Sequence, residues 1–386
     1  MRIVVAPDSF GGALDSVAVA EAIASGWRLA RPEDDLLTTP MADGGEGTLA
    51  AVAAALGERA VRRSASVHDP LEREVSADWL LLEDGKRAFI EMATASGLAR
   101  LSQSERTPDS ARIASTRGTG ELILAAVEAG VTSIVIGIGG SATTDGGAGM
   151  LSALGVRFLD AGGAELPSGG AALARLARID ASQIEPRLEA VDLVIASDVT
   201  NPLTGPAGAA EVYGPQKGAD AAAVRELDGA LSVLGAAVEV ATGRAVADLP
   251  GTGAAGGTAA ALLGFTQAAL RPGFEVVAEL VGLPAVLAGA DLVITGEGRA
   301  DEQTLAGKTA MGVAQLAREA GIPAVLLCGA LGPGAELLER SGLFDLVQPV
   351  LDRPMLLADA MADTERLLVN AAERLARAIV VGQGLA

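Results

Sequence analysis

Short apolar runs alternate with stretches of helical periodicity at both ends of the chain. The pattern predicts a strand at residues 2–6, a helix at 16–30 and a second strand at 35–40. The same rhythm returns after residue 283, with strands at 290–295, 323–328 and 346–350. A continuous apolar run bounded by turn residues is typical of a strand buried in a parallel sheet. We therefore predict a five-stranded parallel sheet built from both ends of the chain.

The middle of the chain has a different pattern. Residues 61–67, 73–82 and 87–92 alternate or are rich in β-formers, and turn residues separate them. This pattern predicts antiparallel strands. We expect an α/β protein in which residues 1–62 and 288–386 form one discontinuous domain. Residues 63–287 should form an inserted domain of mixed α/β structure.

A glycine-rich stretch, GIGGSATTDGGAGM at residues 137–150, follows an apolar run and leads into a predicted helix. Glycine allows backbone N–H groups to approach an anion closely, and a helix N-terminus favours negative charge. The spacing differs from the dinucleotide-binding fingerprint. The stretch alone fits an anion-binding loop and a tight strand-to-helix turn equally well.

The composition of the chain excludes several classes of protein. The formal net charge of −20 argues against a nucleic-acid partner. The single cysteine, Cys328, excludes an internal disulfide and fits a reducing compartment. The N-terminus enters a strand at once, and no apolar run reaches the roughly 18 residues that span a bilayer. We expect a cytoplasmic protein without a membrane partner.

Carboxylates follow several predicted strands, within loops rich in glycine. Ligands of open α/β sheets bind beyond the carboxyl ends of the strands. Oxygen ligands suit Mg²⁺ held together with substrate phosphates, and the chain has no His or Cys cluster for zinc. Lys217 and Lys308, two of only three lysines, lie in glycine-flanked loops, which suggests a specific use of the compact ammonium. This set of groups is typical of phosphoryl transfer.

Gly307-Lys308-Thr309 looks like the end of a Walker A loop, but Glu302 occupies the position of the first glycine, so a P-loop is rejected.

Seven motifs, spread in order over nearly the whole chain, resemble those of the bacterial glycerate kinases of the first type. They are APDSF (6–10), PMADGGEGT (40–48), GIGGSATTDGGAGM (137–150), SDVTNPL (197–203), YGPQKGA (213–219), PGTGAAGG (250–257) and ITGEGRADEQTLAGK (294–308). The resemblance implies a flavodoxin-like domain made from both chain ends, with a second α/β domain inserted. It also implies ATP-dependent phosphorylation of D-glycerate between the two domains, with 2-phosphoglycerate the favoured product.

Within these motifs we assign roles by residue chemistry. Asp198 ends an inner strand and is predicted to act as general base or metal ligand. The predicted catalytic residues are Asp198, Asp43, Lys217 and Arg299. The predicted substrate- and nucleotide-binding residues are Asp8, Ser9, Glu46, Gly139, Gly140, Ser141, Thr143, Asp145, Thr200, Asn201, Glu297 and Lys308. ATP and Mg²⁺ are the expected cofactors, and the predicted metal ligands are Asp198 and Asp301.

Two positions depart from the family pattern. Gly11 stands where the family usually has lysine, and Thr144 where it usually has asparagine. The missing lysine predicts weaker binding of glycerate or phosphate, unless Lys217 or Lys308 compensates. It leaves two alternatives open: a kinase for another small hydroxy acid, and a non-catalytic ligand sensor. Assembly of identical chains is also left open.

Overall fold

Strands within residues 1–306 and 309–385, the part of the chain that the computed structural model describes, form two large sheets and one small ribbon. In chain order the strands are β1 (Arg2–Val5), β2 (Asp35–Thr38), β3 (Ala60–His68), β4 (Glu74–Leu82), β5 (Arg87–Glu91), β6 (Ser133–Gly137), β7 (Arg157–Leu159), β8 (Arg178–Asp180), β9 (Asp192–Ala196), β10 (Ala269–Arg271), β11 (Leu292–Ala300), β12 (Ala324–Leu331) and β13 (Leu346–Pro349).

The α-helices cover the faces of these sheets. They are α1 (Ser16–Ala30), α2 (Thr48–Leu56), α3 (Ala93–Ser96), α4 (Pro108–Ile113), α5 (Arg117–Glu128), α6 (Ala148–Ala153), α7 (Ala209–Tyr213), α8 (Ala221–Thr242), α9 (Ala254–Phe265), α10 (Gly273–Val281), α11 (Leu283–Leu287), α12 (Thr309–Glu319), α13 (Glu336–Arg340), α14 (Leu357–Ala362) and α15 (Thr364–Leu385). No described helix is long and apolar enough to cross a membrane.

The chain divides into two compact units. The end unit consists of Met1–Asp43, Ala50–Gly57 and Phe274–Ala386, and the inserted unit of Gly44–Leu49 and Glu58–Gly273. The domain boundaries at 62 and 288 stay a prediction. Residues 44–49 belong to the inserted unit because the Glu91 carboxylate at the end of β5 accepts the N–H groups of Gly47 (3.0 Å) and Leu49 (2.7 Å).

The end unit contains a five-stranded parallel sheet in the order β13-β12-β11-β1-β2. β1 lies between β2 and β11, with Ile3 opposite both Leu36 and Leu292. This is the flavodoxin-like strand order, and its carboxyl edge is where ligands of such sheets bind. The predicted fold class is therefore confirmed, as is the pairing of the first strand with a strand from the far end of the chain.

A mixed sheet in the order β10-β9-β6-β5-β4-β3 forms the core of the inserted unit. β3, β4 and β5 pair antiparallel, as the alternating pattern predicts. β5, β6, β9 and β10 pair parallel, so the loops after β5, β6 and β9 leave the same edge of the sheet. Ile134, Ile136 and Ile195 are fully buried on these central strands and anchor the glycine-rich loop that follows β6.

Candidate active site

The glycine-rich loop runs from the end of β6 to the start of α6 and packs closely against residues 44–46. A Cβ atom at Gly139 would lie 2.5 Å from the Cα of Gly45, so only glycine fits there. The Gly139 N–H donates to the carbonyl of Gly44 at 3.2 Å. The N–H groups of Gly140 and Ser141 find no acceptor within the described residues. They are therefore available to a ligand.

Asp145 holds this loop from within the protein. Its carboxylate accepts hydrogen bonds from the N–H and the hydroxyl of Thr116, both at 2.8 Å, and from the N–H groups of Gly147 and Gly149, both at 3.1 Å. Burial raises the pKa of Asp145, while the hydrogen bonds oppose the rise. Because its oxygens are used internally, Asp145 fixes the start of α6.

Lys217 lies buried beside the same loop. Its Nζ donates to Ser141 Oγ at 2.9 Å and to the carbonyl of Thr143 at 2.5 Å. Burial lowers the pKa of Lys217 to about 7, and the charge of Asp145 opposes this only in part. A buried ammonium with so little neutralising charge is poised to accept an anion.

The PGTGAAGG segment supports the loop from another direction. The Gly146 N–H donates to the carbonyl of Gly256 at 2.9 Å. Backbone φ is positive at Ala255, Gly256 and Gly257, which interrupts the first turn of α9. A φ of 53° is unusual for alanine, so the packing there holds a strained conformation.

These elements enclose a cavity of about 450 Å³ in the inserted unit, here called the anion cavity. It is lined by Glu46, Leu98, Ala99, Arg106, Ile138, Gly139, Gly140, Ser141, Ser197, Val199, Tyr213, Gln216, Lys217, Ala254 and Ala255. Arg106 adds a second cation to its wall. The Arg106 Nη2 donates to the carbonyls of Leu98 (3.1 Å) and Leu101 (3.2 Å), and its buried Nε has no partner within the described chain.

A second cavity, of about 650 Å³, lies in the end unit and is here called the apolar cavity. It is lined by Asp8, Ser9, Phe10, Gly11, Ala13, Asp43, Glu297, Gly298, Arg299, Thr309, Gly329, Ala330, Val350, Leu351, Met355, Leu357, Ala360, Met361, Thr364 and Leu367. Burial raises the pKa of Asp8 to about 6, and the charge of Asp43 adds to the rise. Arg299 forms an ion pair with Asp301 at 3.1 Å.

Ten of the predicted site residues line one or the other of these two cavities. Glu46, Gly139, Gly140, Ser141 and Lys217 line the anion cavity. The members that line the apolar cavity are Asp8, Ser9, Asp43, Glu297 and Arg299.

Thr143 and Asp145 are buried and line neither cavity. The Asp145 carboxylate contributes to the shape of the loop, whereas binding by Thr143 stays a prediction.

Four further predicted residues line neither cavity. Asp198 follows β9, and its carboxylate accepts the Gly273 N–H at 2.8 Å. Asn201 accepts the hydroxyl of Tyr213 at 2.8 Å, and its amide donates to a loop carbonyl, so it orients a residue of the anion cavity. Thr200 is exposed, and Asp301 pairs with Arg299.

Lys308 lies outside the described residues. Among the residues that are described, no group of three or more His, Cys, Asp or Glu side chains could hold a metal ion by itself. Mg²⁺ bound with nucleotide phosphates needs only one or two carboxylates, and Asp8 and Asp43 provide two that line the same cavity. The donor set therefore fits a metal that arrives with the nucleotide.

Sequence reasoning missed Arg106 and Glu91. Arg106 has no glycine neighbour, and arginine is common throughout the chain, so no local sequence signal distinguishes Arg106 from the other arginines. Glu91 ends a strand, as the other candidate carboxylates do, and that signal could have identified it as the residue that holds the loop at 44–49.

Comparison with known proteins agrees with the motifs. The family model described as "Glycerate kinase family" matches residues 3–380. The chain belongs to the glycerate kinase family. It is 46% identical to a glycerate kinase of Halalkalibacterium halodurans over 97% of each chain. It is 43% identical to a glycerate 2-kinase of Escherichia coli K12 over 99% of each chain.

The fold also matches a solved structure of the family. A crystal structure of a protein described as a candidate glycerate kinase 2 from Salmonella typhimurium LT2 superposes with a TM-score of 0.86 at 43% identity. The match covers 100% of this chain and 99% of the other. Family membership at this level identifies the chain as an enzyme, a kinase.

Proposed function

We propose that the enzyme transfers the γ-phosphoryl group of ATP to glycerate and forms 2-phosphoglycerate. The observation that supports this most strongly is the lining of the anion cavity, which includes the cations Lys217 and Arg106. It also includes Gly140 and Ser141, whose N–H groups find no acceptor within the described residues, and this set of groups suits a small carboxylate. Family membership supports the reaction class, and the glycerate 2-kinase relative supports the position of phosphorylation. The location of the reaction between the two domains stays a prediction.

The substrate carboxylate would bind at Ser141 and Lys217. Charge-assisted hydrogen bonds of this kind are about twice as strong as neutral ones. An anion there would also raise the lowered pKa of Lys217, so that binding and protonation of the lysine support each other. Arg106 offers Nε on the same wall and would fix the orientation of the acid.

In the reaction, the hydroxyl oxygen of glycerate forms a bond to the γ-phosphorus, and the bond from that phosphorus to the bridging oxygen of ADP breaks. A carboxylate takes the hydroxyl proton. Asp198 remains our proposal for this base, and Glu46, which lines the anion cavity, is the competing candidate. Mg²⁺ would supply charge neutralisation at the phosphates. Asp8 and Asp43, which line one cavity, are suited to hold it, while the assignment to Asp198 and Asp301 stays a prediction.

A panel assay tests the proposal. ATP consumption is measured with D-glycerate, L-glycerate, lactate, glycolate and tartrate, and the phosphorylated product is identified by ³¹P NMR. We expect turnover with D-glycerate and a phosphate ester on the C2 oxygen. Preference for another acid would identify a different hydroxy-acid kinase, and the absence of ATP consumption with every acid would revive the sensor hypothesis.

A further inference from the structure

The apolar cavity of the end unit has no role in the binding of glycerate proposed above. Its volume of about 650 Å³ is larger than a three-carbon acid requires and lies in the range of cofactor pockets. Its lining includes the apolar side chains of Phe10, Val350, Met355 and Met361. A ligand that fills it must offer a large apolar surface.

Apolar side chains are exposed where this cavity opens. Leu357 at the start of α14 is 74% exposed, and Leu351 after β13 is 37% exposed, and both line the cavity. Exposed apolar surface beside a concave pocket is typical of a ligand site, because the ligand removes that surface from water.

The lining also carries charge. Asp8, Asp43 and Glu297 belong to it together with Arg299. Phosphates would be repelled by three carboxylates unless a divalent cation lay between them. A lining that combines apolar side chains with carboxylates fits a metal-bound nucleotide better than a free anion or a purely apolar molecule.

We infer that the apolar cavity binds the base and ribose of the nucleotide, with the metal-bound phosphates beside Asp8 and Asp43. This inference rests on the proposed kinase function. It assigns the nucleotide to the end unit and leaves the anion cavity of the inserted unit to the acceptor acid.

The test is calorimetric binding of MgADP, which requires no turnover. Ala360 on α14 lines the cavity, whereas Ala362 on the same helix is exposed and does not. Ala360→Trp should fill the cavity and raise the dissociation constant of MgADP by about tenfold or more. Ala362→Trp should leave it within about twofold of wild type. With EDTA in place of magnesium, ADP should bind the wild type at least about tenfold more weakly.

A second pair of substitutions, with smaller changes in side-chain volume, keeps the test valid if the tryptophan variants misfold. Leu356 and Leu357 are both 74% exposed, but only Leu357 lines the cavity. Leu357→Ser should weaken MgADP binding by about threefold to tenfold, and Leu356→Ser should not change it.

Unchanged MgADP affinity in both Ala360→Trp and Leu357→Ser would overturn the inference, as would loss of MgADP binding in Lys217→Met. Failure of the proposed function has a different signature. In that case wild-type enzyme would not phosphorylate glycerate, while Ala360→Trp would still lose MgADP.

Discussion

The two cavities differ in the chemical groups that they present to a ligand. The anion cavity is built from loop N–H groups and from cations held in place by internal hydrogen bonds, as Lys217 is by Ser141 and Thr143. The lining of the apolar cavity includes the side chains of Phe10, Met355 and Met361 together with three carboxylates and one arginine. Fixed dipoles and buried cations recognise a small anion by charge, whereas apolar walls recognise a larger ligand by area and shape. Substitutions in one cavity should therefore change the affinity for one ligand only.

The largest expected effect concerns the proton acceptor. Asp198→Asn keeps an oxygen that can accept the Gly273 N–H but removes the negative charge. We expect kcat to fall by at least about 10²-fold, the low end for a group that transfers a proton. Asp192→Asn, at the exposed start of the same strand, is the matched control. If Asp198→Asn turns over normally and Glu46→Gln does not, the base belongs to the anion cavity.

Lys217→Met tests whether charge recognition is confined to the anion cavity. Methionine retains the apolar stem but removes the donor to Ser141, so kcat/KM for glycerate should fall by about 10²-fold. The dissociation constant of MgADP should stay within about twofold. Lys86→Met, at an exposed turn, controls for the loss of one positive charge. A similar loss for both ligands would show that the two cavities do not separate the substrates.

Arg106→Gln distinguishes the contribution of Arg106 to glycerate binding from that of Lys217. Glutamine cannot supply the charged Nε, so the KM for glycerate should rise by about tenfold to 10²-fold while kcat changes less. Arg112→Gln, which breaks a partly exposed ion pair with Glu226 on the same unit, is the control. Unchanged KM would mean that Arg106 only ties the loop carbonyls of Leu98 and Leu101 together.

The pH dependence sharpens the role of Lys217. Its pKa is lowered to about 7, so the free enzyme loses the ammonium above that pH, and kcat/KM for glycerate should fall by about tenfold per pH unit. Stability should change in the opposite direction. Between about pH 7 and 10.5 the unfolded chain binds the lysine proton and the folded chain does not, so the free energy of unfolding rises with pH.

Measurements of kcat/KM for glycerate at several pH values check the predicted fall in activity. Urea unfolding at the same pH values checks the predicted rise in the free energy of unfolding. Lys217→Met should lack both steps. The neighbouring groups Asp145, Glu46, Arg106 and Tyr213 are unchanged in that variant, so a step that persists in it belongs to one of them.

The smallest expected effect is an improvement in ligand binding, in the variant Gly11→Lys. Gly11 is exposed, lines the apolar cavity, and has open space where a Cβ would be added. The sequence alone predicts that Gly11→Lys improves glycerate binding. Its place in the apolar cavity leads us to expect a lower KM for ATP instead, by up to about tenfold. Gly382→Lys adds the same charge at an open position of α15 and is the control. A lower KM for glycerate alone would restore the first interpretation.

The sequence by itself determined the five strands of the sheet that both chain ends share. A buried strand such as β1, or the first part of β11 at residues 292–294, is a local run of apolar residues, and a glycine loop is a local composition, so both can be recognised without tertiary contacts. The second part of β11, which carries Glu297 and Arg299, has no such pattern, and the sequence predicts a loop there. Motif order over nearly the whole chain was enough to identify the family.

Only the tertiary structure decided which loops share a cavity. Lys217 and Ser141 are 76 positions apart, and their hydrogen bond depends on the packing of several helices and loops that no local pattern encodes. Packing also removed Asp145 from the cavity wall, because four internal donors occupy its oxygens. Packing also placed Arg106 in the lining of the anion cavity, although the sequence around Arg106 carries no distinguishing signal. Residue type specifies what a side chain can do, and the long-range contacts of the folded chain specify whether it faces a ligand.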